Sequence, residues 1–206
     1  MTELFPPAAY ERDDESADGR FYAVPRRVVH IDDGAIAALG RVYARVLPAG
    51  GRLLDLMSSW RSHLPRGLDA EVVGLGLNAD EMADNPHLAR HVVHDVNDGR
   101  VALPFADGGF DGAMCAVSIQ YVTQPVRLFG EVRRVLRPGA PFVVSFSNRC
   151  FPTKAVAVWL NTTDAHHIEL VQAYFEASGG WDKPVAESWQ PDDNGDPLYA
   201  VWVRRL

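Results

Sequence analysis

Residues 110–146, FDGAMCAVSIQYVTQPVRLFGEVRRVLRPGAPFVVSF, alternate between two kinds of hydrophobic pattern. Phe110–Val117 and Pro141–Phe146 are short apolar runs with the length of buried strands. Between them, Val126–Leu136 places its apolar residues at helical spacing, and the helix-stopping pair Pro138-Gly139 follows. A strand, a helix and a second strand in this order predict a parallel β-α-β unit.

The same alternation continues upstream of this unit. Three more apolar runs predict strands: Arg52–Leu56, Val72–Leu77 and a run that passes through Val92-Val93 and ends at Asp95. Three helices are predicted beside them: one that Asp32-Asp33 caps, one across Ser58–Leu64 and one that opens over Asn78–Met82. Strands that alternate with helices indicate a mostly parallel sheet with helices on both faces.

The C-terminal part of the chain departs from this alternation of strands and helices. Two helical stretches, Lys154–Leu160 and Ala165–Ala177, precede the predicted strands Val185–Trp189 and Leu198–Val203. Only a turn signal, Asp192-Asp193-Asn194-Gly195, separates those strands, so they predict an antiparallel hairpin at one edge of the sheet. The fold class is therefore α/β, with ligands expected at the carboxyl ends of the parallel strands.

Length and charge limit the domain organisation and the partners. The chain has 206 residues, of which 47% are hydrophobic and 23% are charged, as in an ordinary globular protein. We expect residues 1–20 to form a flexible acidic tail and residues 21–206 to form a single domain. The net charge of −7 argues against a nucleic-acid partner, because binding to phosphates requires a basic surface.

Cysteine and histidine usage indicates the compartment and the metal content. Cys115 and Cys150 lie in apolar surroundings and are expected to be buried thiols in a reducing compartment. No apolar run has the length of a membrane span and no signal-peptide pattern is visible, so we expect a cytoplasmic protein. No metal is expected, because His91 and His94 fall on opposite faces of a strand and no acidic cluster completes a site. The sequence leaves the oligomeric state open.

Two segments resemble the class I S-adenosylmethionine-dependent methyltransferase family, in its type 11-like branch. Leu103–Asp111, LPFADGGFD, is similar to the family's signature before the fourth strand. Glu131–Gly139, EVRRVLRPG, is similar to the signature before the fifth strand, and the order and spacing of the two segments also match. The resemblance implies a Rossmann-like, seven-stranded sheet, S-adenosylmethionine as the cofactor, and methyl transfer to an acceptor that the sequence does not identify.

The segment after the first strand departs from the family pattern. The family's acid-x-G-x-G-x-G motif reads Asp55-Leu56-Met57-Ser58-Ser59-Trp60 here, so the acid remains and the glycines are absent. Gly76 stands where the family has an acid that holds the ribose hydroxyls. By position, the resemblance implies the following cofactor-binding residues: Asp55, Met57, Ser58, Ser59, Leu77, Asn78, Asp95, Val96 and Ser118. Ser58 and Ser59 are equally suited to capping the next helix. Trp60 is more typical of a core residue, and a contact with the cofactor's sulfonium is the alternative.

Two residues are candidates for the catalytic step, His30 and Tyr121. His30 titrates near neutral pH and belongs to the segment that covers the cofactor in this family. Tyr121 and its neighbour Gln120 follow the fourth strand and are candidates to orient the acceptor. Arg26 is a candidate partner for the cofactor's carboxylate. Aromatic residues near the expected mouth favour a small organic substrate: Phe21, Tyr22, Tyr121, Phe151 and Trp159.

The missing glycines and the missing ribose acid leave a second function open. The chain would then be a non-catalytic methyltransferase-like module that has lost or altered cofactor binding. A third alternative, an NAD-dependent dehydrogenase, shares the layer order but requires a glycine fingerprint that this sequence lacks. The sequence therefore favours the methyltransferase.

Overall fold

The computed structural model describes residues 2–99, 101–191 and 194–206. These residues contain seven strands: β1 Arg52–Leu56, β2 Glu71–Gly76, β3 Leu88–Val93, β4 Gly112–Ala116, β5 Pro141–Phe146, β6 Val185–Trp189 and β7 Leu198–Arg204. They also contain six α-helices: α1 Asp18–Phe21, α2 Asp33–Val46, α3 Ala79–Ala83, α4 Pro125–Val135, α5 Ala157–Leu160 and α6 Asp164–Ser178.

The seven strands form one sheet in the order β3-β2-β1-β4-β5-β7-β6. Neighbours from β3 to β5 are parallel, whereas β7 pairs antiparallel with both β5 and β6. The predicted α/β class and the antiparallel C-terminal hairpin are confirmed, although Asp192-Asp193 of its predicted turn lie outside the described residues. The strand order reverses between β1 and β4, so a crevice opens at the carboxyl ends of these two strands.

Helices cover both faces of the sheet, as predicted. On one face, the rings of Phe129 in α4 and Phe175 in α6 pack on Phe142 of β5, with ring centres 4.5–5.5 Å apart. On the other face, Tyr43 of α2 is buried in a second cluster with Val143. Because Phe142 and Val143 are adjacent and point to opposite faces, β5 contributes apolar side chains to both clusters.

Two of the predicted helices differ from the structure. Residues 58–64 form an irregular loop instead of a helix, because Met57 and His63 at its ends adopt left-handed φ values of 57° and 54°. Of the predicted Lys154–Leu160, only Ala157–Leu160 is helical, and Lys154 lies in the preceding turn.

The N-terminal segment, for which the sequence predicts a flexible tail, lies against the domain. Tyr10 belongs to the hydrophobic core. Arg12 donates two hydrogen bonds of 2.9 Å to the carboxylate of Asp18. The same carboxylate is 3.1 Å from the ammonium group of Lys154, which is fully buried. At least one of the acidic residues that indicated a solvated tail is therefore a partner of buried cations.

Candidate functional site

One cavity at the carboxyl ends of β1, β2 and β4 collects the site residues that the sequence predicts. Its volume is about 160 Å³. All nine predicted cofactor-binding residues line it, and so do His30, Tyr121 and Arg26. The structure therefore brings together side chains that are far apart in the sequence, from the N-terminal segment to the loop after β4.

Four of the residues that the sequence placed near the site do not line this cavity: Phe21, Trp60, Gln120 and Trp159. The indole N–H of Trp60 donates to the carbonyl of Val28 at 2.8 Å, and the Arg61 guanidinium stacks on the indole ring at 3.9 Å. The half-exposed Trp60 therefore occupies neither the crevice nor the core. Gln120 is buried and donates to a backbone carbonyl, and Trp159 is buried in the core. The predictions for Gln120 and Trp159 are wrong, because both side chains turn inward.

Asp55 anchors the loop that replaces the glycine-rich turn. Its side chain is 3% exposed, and one carboxylate oxygen accepts hydrogen bonds from Ser58 Oγ at 2.6 Å and Ser62 Oγ at 2.7 Å. Burial raises the pKa of Asp55 to about 6, although the two serine bonds favour the charged form. The hydroxyl of Ser58, which the sequence assigned to helix capping or a ligand, thus fixes the loop to the end of β1.

The loop follows β2 instead of arching away from it. The backbone N–H of Ser58 donates to the carbonyl of Leu75 at 2.8 Å. A Cβ atom on Gly76 would lie 2.2 Å from the carbonyl oxygen of Ser58, so only glycine fits beneath the loop. The two departures from the family pattern are therefore linked, because the new loop path excludes a side chain at position 76.

Backbone strain concentrates around the cavity. Three non-glycine residues that line it have left-handed φ values: Met57 at 57°, His63 at 54° and Val117 at 50°. This conformation is unfavourable for a β-branched residue such as Val117 and costs about 1–3 kcal/mol per residue. Such strain persists only where the surrounding structure enforces it, and it is typical of functional sites.

Glu81 is a cavity residue that the sequence reasoning missed. Its side chain is 7% exposed. One carboxylate oxygen accepts from the backbone N–H of Arg26, and the other accepts from Ser59 Oγ, each at 2.5 Å. The only sequence signal was the spacing Asn78-x-x-Glu81, which is typical of a helix-capping box. Asn78 does cap α3 through the N–H of Glu81 at 3.0 Å, but the Glu81 carboxylate lines the cavity.

The N-terminal segment forms one wall of the cavity, through Tyr22, Arg26 and His30. Asn78 Nδ2 donates to the carbonyl of Tyr22 at 2.8 Å, which ties the segment to the start of α3. The guanidinium of Arg26 lies 4.3 Å from the centre of the Phe21 ring and donates to the Phe21 carbonyl at 2.6 Å. The ring of His30 lies 5.3 Å from that of Phe151, edge to face. Aromatic rings and one cation therefore form this wall.

The two catalytic candidates differ in their capacity to accept a proton. Burial lowers the pKa of His30; the nearby carboxylate of Glu81 opposes this effect and the cation of Arg26 adds to it. His30 is therefore neutral at pH 7. Burial raises the pKa of Tyr121 to about 12, and its hydroxyl accepts from the N–H of Phe151 at 2.8 Å. Tyr121 is a hydrogen-bonding group at neutral pH, whereas His30 can take up a proton.

Cysteine and histidine add little further chemistry to the site. Cys115 is buried, as predicted, but Cys150 is only half-buried and lines the cavity. In the described part of the chain, no three His, Cys, Asp or Glu side chains are grouped closely enough to hold a metal ion. No helix in the same residues is long and apolar enough to cross a bilayer.

The sequence is similar to methyltransferases. A family model described as a methyltransferase domain matches residues 58–144. An uncharacterized methyltransferase of Mycolicibacterium vanbaalenii is 28% identical over 211 residues, which cover 94% of this chain and 72% of that protein. Methyltransferase phqN of Penicillium fellutanum is 31% identical over 103 residues, which cover 46% of this chain and 32% of that protein.

Solved structures share the fold at low sequence identity. A methyltransferase from Archaeoglobus fulgidus superposes with a TM-score of 0.60 at 13% identity, covering 84% of this chain and 95% of that one. The [4+2]-cyclase SpnF has a TM-score of 0.60 at 16% identity, covering 91% of each chain. The domain model spans the loop after β1 and the β4-α4-β5 unit, and the sheet has the expected strand order. Both the sequence and the fold are therefore similar to those of class I S-adenosylmethionine-dependent methyltransferases.

Proposed function

We propose that the protein transfers a methyl group from S-adenosylmethionine to a small organic acceptor in the cavity above β1 and β4. The observation that carries this proposal is that the crevice stays open although its glycines are missing. Trp60 lies outside it, and the hydroxyls of Ser58 and Ser59 are bonded to Asp55 and Glu81.

The cavity residues fit a nucleoside with a charged tail. Leu77, Val96 and Met57 offer apolar surface to a flat ring. Two acids near the ends of β2 and β3, the buried Glu81 and the partly exposed Asp95, offer acceptors to hydroxyl and amino groups. The cofactor, when bound, supplies an electrophilic methyl group, and the chain contributes alignment and exclusion of water.

His30 is the residue that we assign to proton acceptance. Its imidazole is neutral at pH 7, meets the Phe151 ring edge to face at 5.3 Å, and lines the cavity. An acceptor whose nucleophile carries a proton can transfer it to His30 as the methyl bond forms. Tyr22, Tyr121 and Phe151 form the aromatic surface against which a small organic acceptor would pack.

Calorimetric titration with S-adenosylhomocysteine tests the cofactor assignment. We expect saturable binding, whereas no binding at millimolar ligand would favour the non-catalytic module. This fold also carries other reactions, since one similar structure is a [4+2]-cyclase. The second measurement is therefore transfer of labelled methyl from S-adenosylmethionine to a low-molecular-weight extract. Binding without any transfer would contradict the catalytic assignment.

A variant separates catalysis from cofactor binding. We expect His30→Ala to lower the rate of methyl transfer by about 10²–10⁴-fold, which is the usual contribution of a general base. The variant should bind S-adenosylhomocysteine as tightly as the wild-type protein does. His166→Ala is the matched control, because His166 is an exposed histidine outside the cavity. Equal rates for both variants would remove His30 from the mechanism.

A further inference from the structure

The acids that line the cavity differ in how their charge is compensated. Asp18 is paired with two cations, Arg12 at 2.9 Å and Lys154 at 3.1 Å. Asp55 accepts two serine hydroxyls, and burial raises its pKa. Glu81 is 7% exposed and, within the described residues, has no Lys, Arg or His side-chain nitrogen within ion-pair distance.

A buried carboxylate without a cation is costly unless hydrogen bonds compensate its charge. Glu81 receives one hydrogen bond on each oxygen, from the N–H of Arg26 and the hydroxyl of Ser59. An ionised carboxylate has about four acceptor sites, so about two remain for donors from the cavity. Glu81, which lines the cavity, therefore has acceptor positions on its carboxyl group that no described residue fills.

The position of Glu81 compensates for the glycine at the end of β2. A side chain at Gly76 would collide with the carbonyl of Ser58, so no acid can project from that point. Helix α3 begins directly afterwards, and its first turn brings Glu81 to the same rim of the cavity, where Ser59 of the loop also bonds to it. An acceptor is therefore present beside β2, supplied from the helix instead of the strand.

We propose that Glu81 holds the two ribose hydroxyls of the nucleoside cofactor. This assignment rests on the proposed function and names the residue that replaces the absent strand-end acid. Two neutral O–H donors fit the two open acceptor sites. A cationic donor fits less well, because the Arg26 guanidinium lines the same cavity and its backbone N–H already bonds to Glu81.

Isothermal titration of Glu81→Gln with two ligands tests the assignment. S-adenosylhomocysteine carries an adenosyl group and an amino-acid tail, whereas methylthioadenosine carries the adenosyl group without that tail. We expect both ligands to bind about 10- to 100-fold more weakly to the variant, since hydrogen bonds to a charged acceptor are lost. Asp80→Asn is the matched control, because it removes the same charge from an exposed neighbour in α3 and should leave both affinities unchanged.

A second comparison identifies the hydroxyls directly. The wild-type protein should bind adenosine more tightly than its dideoxy analogue, and Glu81→Gln should lose most of that preference. If the glutamine variant unfolds, Glu81→Asp keeps the charge and should show an intermediate preference. Unchanged affinities in the variant, or weaker S-adenosylhomocysteine binding with unchanged methylthioadenosine binding, would overturn the assignment. A wild-type protein that binds neither ligand would instead refute the proposed function.

Discussion

At the scale of single residues, Asp55 fixes the loop after β1, and its burial makes the stability of the fold depend on pH. Its carboxyl has a pKa of about 6 in the folded protein, against an ordinary value of 3.8. The folded state therefore binds more protons than the unfolded state between these values. The contribution of this group to stability is complete below about pH 4 and is lost as the pH rises through about 6.

Asp55→Asn should remove this pH dependence. The asparagine oxygen can still accept from Ser58 and Ser62, but it carries no charge to bury. We expect the free energy of unfolding of the variant, relative to wild type, to improve by about 3 kcal/mol between about pH 4 and about pH 8. Urea unfolding of both proteins across this range measures the difference. A constant offset between the two curves would show that Asp55 does not titrate as described.

Gly76 is the residue on which the loop path depends. Gly76→Ala places a Cβ atom against the Ser58 carbonyl, at 2.2 Å without relaxation, and should destabilise the protein by about 1–3 kcal/mol. Gly40→Ala is the control, because Gly40 lies in α2 with no atom within 4 Å of the new Cβ. That change should stabilise the helix by about 1 kcal/mol. Chemical denaturation of the two variants checks the opposite signs.

Sequence reasoning predicted most of the cavity residues discussed above but missed one of them, Glu81. Matching strand ends to the family pattern placed nine cofactor candidates around one cavity, because the ends of parallel strands converge whatever the loops do. Glu81 was missed because its spacing from Asn78 is typical of a helix cap and does not by itself indicate a ligand. The orientation of the Glu81 side chain depends on hydrogen bonds from Ser59 and Arg26, which are far from it in the sequence.

At the scale of elements, a buried lysine is one of the groups that hold the N-terminal segment against the domain. Lys154 Nζ donates to the carbonyls of Asp14 at 3.0 Å and Ser16 at 2.7 Å, and it pairs with Asp18. We expect Lys154→Met to destabilise the fold by about 3 kcal/mol, because Asp18 and two carbonyls lose a partner. Hydrogen exchange of residues 10–20 should accelerate in this variant.

Lys183→Met is the matched control for this prediction. Lys183 is exposed, so its loss should change stability by less than about 0.5 kcal/mol and leave the exchange of residues 10–20 unaltered. If those residues already exchange freely in the wild-type protein, the segment behaves as the flexible tail that its composition predicts.

The loop at residues 58–64 is the element for which the sequence prediction was wrong. Serines at its start are typical of helix N-termini. Here Ser58 and Ser62 bond to Asp55 instead, and Ser59 bonds to Glu81. Side chains that satisfy a buried carboxylate outside the segment cannot also cap a helix within it, so tertiary hydrogen bonds override the local preference.

At the scale of the whole molecule, the net charge of −7 bears on the choice of partner. We expect no binding to single-stranded RNA or duplex DNA tighter than about 10⁻⁴ M at physiological salt, because phosphate neutralisation requires a basic surface. Fluorescence anisotropy with labelled oligonucleotides measures this. S-adenosylhomocysteine binding by the same preparation controls for folded protein. Submicromolar, salt-sensitive binding would contradict a small organic acceptor.

The sequence alone determined the layer order, the sheet direction and the terminal hairpin. These follow from hydrophobic periodicity and from the length of the connections, which are local properties of the chain. The tertiary structure alone decided the path of the loop after β1, the packing of the N-terminal segment on Lys154 and the orientation of Glu81 into the cavity. Each of these depends on a buried charge that finds its partners far away in the sequence. Local patterns do not encode such pairings, because the energy of a buried charge is set by its three-dimensional surroundings.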